Sequence, residues 1–223
     1  MIKINKKVLL IFAIFIVSFF VITTPCYPVI SHNGSGGGYD GGGDGKRTTY
    51  SPIEDYIIEG AGYYLAANAN VQKILQMVEL QDLQGIDYAE LAAVIDSAVF
   101  NMMNAVETFE RLIDKAEATP YNENVIALLK GFDYNTFMLK NGLNSTIFNT
   151  AAGYLKSGDI TGVFKHTYKE YLRILETLIV MKFSIAFSKL PELPAFWKLN
   201  EAFAKASLFG SIIARIFAAI QQP

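Results

Sequence analysis

Residues 87–120 read DYAELAAVIDSAVFNMMNAVETFERLIDKAEATP, and this stretch decides the fold. Tyr88, Ala92, Ile95, Val99, Met102, Val106, Phe109, Ile113 and Ala116 follow one another at alternating steps of four and three. That spacing returns each side chain to the same side of an α-helix. Leu91, Ala98, Ala105 and Leu112 widen the stripe, while Glu107, Glu110, Arg111, Asp114 and Lys115 stay outside it. A stripe this broad is what a helix needs inside a bundle. Asp87 and Glu90 have the spacing of a capping box, and Thr119-Pro120 stops the helix.

Upstream, Ser51-Pro52-Ile53-Glu54 is a second helix start, with a capping serine, a proline at the first helical position and a glutamate at the third. Ile57, Ala61, Tyr64, Val71, Leu75 and Val78 carry its stripe, interrupted at Asn68, to an end near Leu83 and Gly85. Each glycine of Gly60-Ala61-Gly62 costs about 1 kcal/mol in a helix relative to alanine, which suggests close approach of another helix or a kink. Asn68 is expected to be a buried residue fixing helix register; with Asn70, Tyr63 and Tyr64 it would also suit a polar pocket.

Downstream, Gly131, Asn141-Gly142, Gly153 and Ser157-Gly158-Asp159 break residues 122–158 into two or three short helices. Asp159 caps a long helix expected to run to Leu190 and Pro191. Its second half, residues 178–187 (LIVMKFSIAF), is apolar on nearly every side and is expected at the centre of the domain. A last helix follows Pro194 to about Ile220. No segment alternates like a strand between hairpin turns. The expected fold is all-α: an antiparallel helical bundle of about five to six helices over residues 50–223.

The N-terminus has a different character. Lys3, Lys6 and Lys7 precede an apolar run at residues 8–22 (VLLIFAIFIVSFFVI), broken by Thr23-Thr24-Pro25. A membrane-spanning helix wants about 20 apolar residues. The run is nearer the core of a signal peptide, so residues 1–31 are expected to direct export, with an uncleaved anchor as the alternative because no A-x-A cleavage site is evident. Cys26 is the single cysteine, which rules out an intrachain disulfide and a thiolate metal cage. It is a candidate for lipidation, although Thr23-Thr24-Pro25 matches the usual lipoprotein pattern poorly. Residues 32–49, with GSGGGYDGGGDG at 34–45, are expected to be a disordered flexible linker.

Chemistry-bearing motifs are scarce. Gly36, Gly38 and Gly41 satisfy a dinucleotide-binding spacing but lack the strand before and the helix after that such a loop needs. Gly45-Lys46 ends like a phosphate loop, yet Asp40 and Arg47 replace its first glycine and its Ser/Thr. Asp40 and Asp44 resemble one fragment of a calcium-binding repeat, which works only in stacks. His32 and His166 are the only histidines, too few for the Glu-x-x-His pairs of a di-iron bundle. His166 and Glu170, four apart on one helix face, are weak candidates for two metal ligands, and two ligands do not make a site. Lys165, Lys169 and Arg173 form a short basic stripe, read as a solvated face. The sequons at Asn33 and Asn144 matter only if the exported chain is glycosylated.

A net charge of −2 offers no field for nucleic acid. The composition therefore points to an exported, periplasmic or extracellular, non-enzymatic binding or structural module. It is expected to meet a protein partner and to take no cofactor, with contact to a membrane surface, or a tether to it through the N-terminus, left open. The alternatives are a membrane-active protein using residues 178–187 with the apolar segment 206–220 (ASLFGSIIARIFAAI), and a small-ligand or metal-binding bundle around His166.

Overall fold

The computed structural model describes residues 52–80, 85–143, 145–186 and 193–220. Among them it is all-α, with seven helices and no strand: α1 (Pro52–Leu80), α2 (Tyr88–Glu117), α3 (Glu123–Gly131), α4 (Tyr134–Asn141), α5 (Thr146–Ser157), α6 (Ile160–Ala186) and α7 (Leu193–Ile220). The signal segment, the Gly-rich linker, Cys26, Ser51, Asn144 and the expected end of α6 at Leu190-Pro191 lie outside the described residues.

Seven helices replace the expected five to six because the middle of the chain divides three times. Asn122, Asp133 and Ser145 each turn a side-chain oxygen onto a free backbone N–H, of Asn124 (2.9 Å), Thr136 (3.0 Å) and Phe148 (3.1 Å). These caps start α3, α4 and α5. Gly142 and Gly158 close α4 and α5 with left-handed φ of 62° and 78°. At Gly158 a side chain would also come within 2.8 Å of Ile126 Cγ2, so this glycine lets α3 lie close to the α5–α6 joint. Gly153 does not break the chain; it lies inside α5.

Asp87 caps α2 as its position suggests, accepting from the backbone N–H of Ala89 (2.9 Å) and Glu90 (3.1 Å). Among the described residues the Glu90 side chain makes no hydrogen bond back to Asp87. It crosses to Lys73 of α1 at 2.7 Å.

The core has two parts. The larger joins α1, α2, the later turns of α6 and the first half of α7. The smaller lies under α3, α4 and α5, sealed by Val163 of α6 and by Phe209, Ile212, Ile213, Ile216 and Phe217 of α7. Thus α6 and α7 run through both, and the three short helices close one end of a four-helix unit.

Cross-helix contacts fix the directions. Asp96–Lys182 (2.8 Å), Phe109–Tyr171 (rings edge-on, 4.9 Å) and Glu117–Lys165 (2.5 Å) ascend α2 while descending α6. Gly60–Phe109 and Lys73–Glu90 do the same for α1 and α2. Tyr64–Ser207 and Gln72–Asn200 do so for α1 and α7. Each of these pairs is antiparallel.

Candidate functional site

The residues singled out from sequence do not converge. His166 faces α7, its ring 4.4 Å from Phe209 and 5.8 Å from Tyr154 of α5. Glu170 is engaged elsewhere, accepting from Arg173 Nη1 at 2.7 Å. Among the described residues, no group of three or more His, Cys, Asp or Glu stands together as a metal would require. Lys165 is paired with Glu117 of α2, leaving Lys169 as the member of the basic stripe with no ion-pair partner among the described residues.

Desolvation among those rings holds the His166 pKa below its ordinary 6.5; Glu170 pulls it up, and Arg173 and Lys169 push it down. A histidine harder to protonate when folded than when unfolded contributes full stability above pH 6.5, and loses it as pH falls from there through the lowered folded value. Replacing it with leucine is therefore expected to flatten the loss of thermal stability between about pH 7 and pH 5.5. An unchanged slope in His166→Leu would assign that loss to other groups.

The densest polar-aromatic cluster lies in the larger core. Tyr64 of α1 stacks on Tyr171 of α6 with centroids 4.8 Å apart and planes 5° apart. The Phe109 ring meets Tyr171 edge-on, and Phe203 of α7 packs 5.3 Å from Tyr64. The Tyr64 hydroxyl donates to the Phe203 carbonyl at 2.7 Å. That uses its one proton, so the 2.7 Å contact with Ser207 is Ser207 Oγ–H donating to Tyr64. The Tyr171 hydroxyl, buried, has no hydrogen-bond partner among the described residues. Burial holds both phenols well above their ordinary range, and the neighbouring Tyr64 raises Tyr171 further. These are not groups poised to exchange a proton near neutrality.

Sequence reading found Tyr64 and Asn68 but missed Tyr171, Thr108 and Ser207. Asn68 is buried as expected, yet its amide has no partner among the described residues. Register between α1 and α7 is held one turn to either side of it, by Tyr64 to Ser207 and by Gln72 to Asn200 (3.0 Å). Of the two early glycines, Gly60 marks close approach. A Cβ there would stand 2.7 Å from Phe109 Cδ2, whereas at Gly62 nothing lies within 4 Å.

The cleft between α2 and α6, lined by Ala92, Ile95, Asp96, Lys182, Ile185 and Ala186, holds about 110 Å³. Sites for organic ligands enclose roughly 300–1,000 Å³. Beside it the surface is unusually apolar: Phe100 and Met103 of α2 are 64% and 54% exposed, and Val180 and Phe183 of α6 are 64% and 58% exposed. The expectation that residues 178–187 are buried all round is corrected here. Leu178, Met181 and Ile185 enter the core, while Val180 and Phe183 face solvent, because among the described residues α6 has neighbours on only one side at this level.

Helix α2 and residues Ala195–Ile220 of α7 are long and apolar enough to cross a membrane by length and composition. Both also supply core residues, including Phe109 and Leu112 from α2 and Phe203, Phe209 and Ile216 from α7.

By its described residues the chain is of the all-α class, a helical bundle closed at one end by three short helices. No family model matches it, and neither a curated protein nor a solved structure is found to match.

Proposed function

We propose that this chain is exported through its N-terminal segment, residues 1–31, and works in the periplasm or outside the cell as a non-enzymatic binding or structural module. A Gly-rich linker, residues 32–49, would carry the antiparallel bundle of residues 50–223. The observation that carries the binding role is the solvent-facing group Phe100, Met103, Val180 and Phe183. Large apolar side chains gathered on a surface mark interaction sites more often than isolated ones do. The export role rests on the basic start and the 15-residue run at 8–22.

Mass spectrometry of the protein recovered from its native cell, fractionated by compartment, tests the export half. The expected result is a mature N-terminus beyond Ile22 and recovery outside the cytoplasm. An intact Met1 start on cytoplasmic protein would overturn it. A photocrosslinking residue at position 100 or 183 tests the other half, with a specific adduct expected at either.

A further inference from the structure

We infer that the exposed α2–α6 face is an interface between two copies of this chain, packed about a two-fold axis parallel to the helices. The inference rests on the binding-module reading above and names its partner.

Two solvent-facing stripes make up the face. On α2, Asp96, Phe100, Met103, Glu107, Glu110 and Asp114 recur at steps of four and three, all exposed. On α6, Lys165, Lys169, Arg173, Glu176, Val180 and Phe183 do the same. The Asp96–Lys182 and Glu117–Lys165 pairs tie the two helices side by side and antiparallel, so the stripes are in register. Counting inward from Asp96 and Lys182 puts Phe100 and Met103 level with residues 175–178, within about two helical turns of Val180 and Phe183. One end of the face therefore carries Phe100 and Met103 on α2 and Val180 and Phe183 on α6, with Glu176 at its inner edge, level with Met103. The other end is acidic along α2, at Glu107, Glu110 and Asp114, and basic along α6, at Lys165, Lys169 and Arg173.

This division selects the symmetry. A two-fold axis lying in the interface and parallel to the helices sets α2 of one copy against α6 of the other at the same height. Phe100 and Met103 then meet Val180 and Phe183, and the acidic run meets the basic run, twice over, as an isologous contact demands. A two-fold perpendicular to the helices through the middle of the face would instead lay the acidic run of α2 on the apolar end of its partner and bury charge unpaired. Three charges at the polar end, Glu110, Asp114 and Lys169, have no ion-pair partner within the described residues and are free to be matched across the axis. An anionic membrane fits less well, because the acidic run of α2 flanks the apolar group on the same face.

Sedimentation velocity of the full mature chain over a micromolar to submillimolar series tests the inference. A reversible dimer is expected. Glu110→Lys and Lys169→Glu should each weaken it about tenfold or more, since each places like charges together at two symmetry-related points. Mixing the two single variants should restore association, because the heterodimer then pairs opposite charges at both points. Phe183→Ser should leave a monomer with an unchanged helical circular dichroism spectrum, since the residue is outside the core. A wild-type chain that stays monomeric throughout, or charge variants whose mixture associates no better than each alone, would overturn the inference. If the chain is monomeric while a crosslinker at position 100 still captures a different protein, the two-copy interface is wrong and the binding module stands. If that crosslinker captures nothing, both are wrong.

Discussion

Phe109→Ala is expected to lower the free energy of unfolding by about 3–5 kcal/mol, the range for removing a large aromatic side chain from a core. Phe109 is 1% exposed, edge-on to Tyr171 and against the backbone of Gly60, so α1 and α6 lose contact with it together. Its partner variant is more informative. Gly60→Ala would normally gain about 1 kcal/mol of helix propensity. Here the new Cβ meets the Phe109 ring at 2.7 Å, and the ring cannot retreat far with Tyr171 4.9 Å away on another side. A net loss of about 1–3 kcal/mol is expected, as for other overpacked cores. In the Phe109→Ala background the obstruction is gone, and Gly60→Ala should turn stabilising. Gly62→Ala, exposed with no atom within 4 Å, supplies the control and should gain up to about 1 kcal/mol in either background. Urea unfolding of the cycle measures the coupling. Equal losses from Gly60→Ala in both backgrounds would show that Phe109 is not why residue 60 is glycine.

The legible parts of this fold are those whose cause is local. Asp87 before an apolar stripe caps α2 because its carboxylate needs only the next two or three N–H groups. Gly142 and Gly158 end helices because a positive φ suits glycine wherever it occurs. What was misread depends on neighbours. Glu90 has capping-box spacing, but Lys73 of α1 lies within its reach. Residues 178–187 look buried by composition, yet composition cannot say how many helices surround them. Tyr171 went unnoticed because its role comes from stacking on a residue 107 positions earlier in the chain. The distinction between Gly60 and Gly62 was available: with Ile57, Ala61 and Tyr64 on the core face, the helical period puts residue 60 beside them and residue 62 away.

The stacked tyrosines should respond oppositely to the same substitution. Tyr64→Phe keeps the ring against Tyr171 and Phe203 but removes a hydroxyl that donates to the Phe203 carbonyl and accepts from Ser207, leaving the Ser207 hydroxyl buried without its partner. A loss of about 1–2 kcal/mol is expected. Tyr171→Phe also keeps the stack, but it removes a buried hydroxyl that no described residue satisfies. Deleting an unsatisfied polar group relieves its desolvation penalty, so a gain of about 1–2 kcal/mol is expected. The alkaline limb tests the same assignment independently. Burial raises both phenols above the ordinary value of 10.0, so the folded state holds protons that the unfolded chain releases. Stability from this source is complete below pH 10.0 and falls as pH rises from there towards the folded values. Each Phe variant should flatten that fall, while only Tyr171→Phe raises stability at neutral pH. Chemical denaturation at neutral pH and along the alkaline limb separates the two residues. If Tyr171→Phe destabilises at neutral pH as much as Tyr64→Phe does, the Tyr171 hydroxyl is bonded in the folded protein and is no polar orphan in the core.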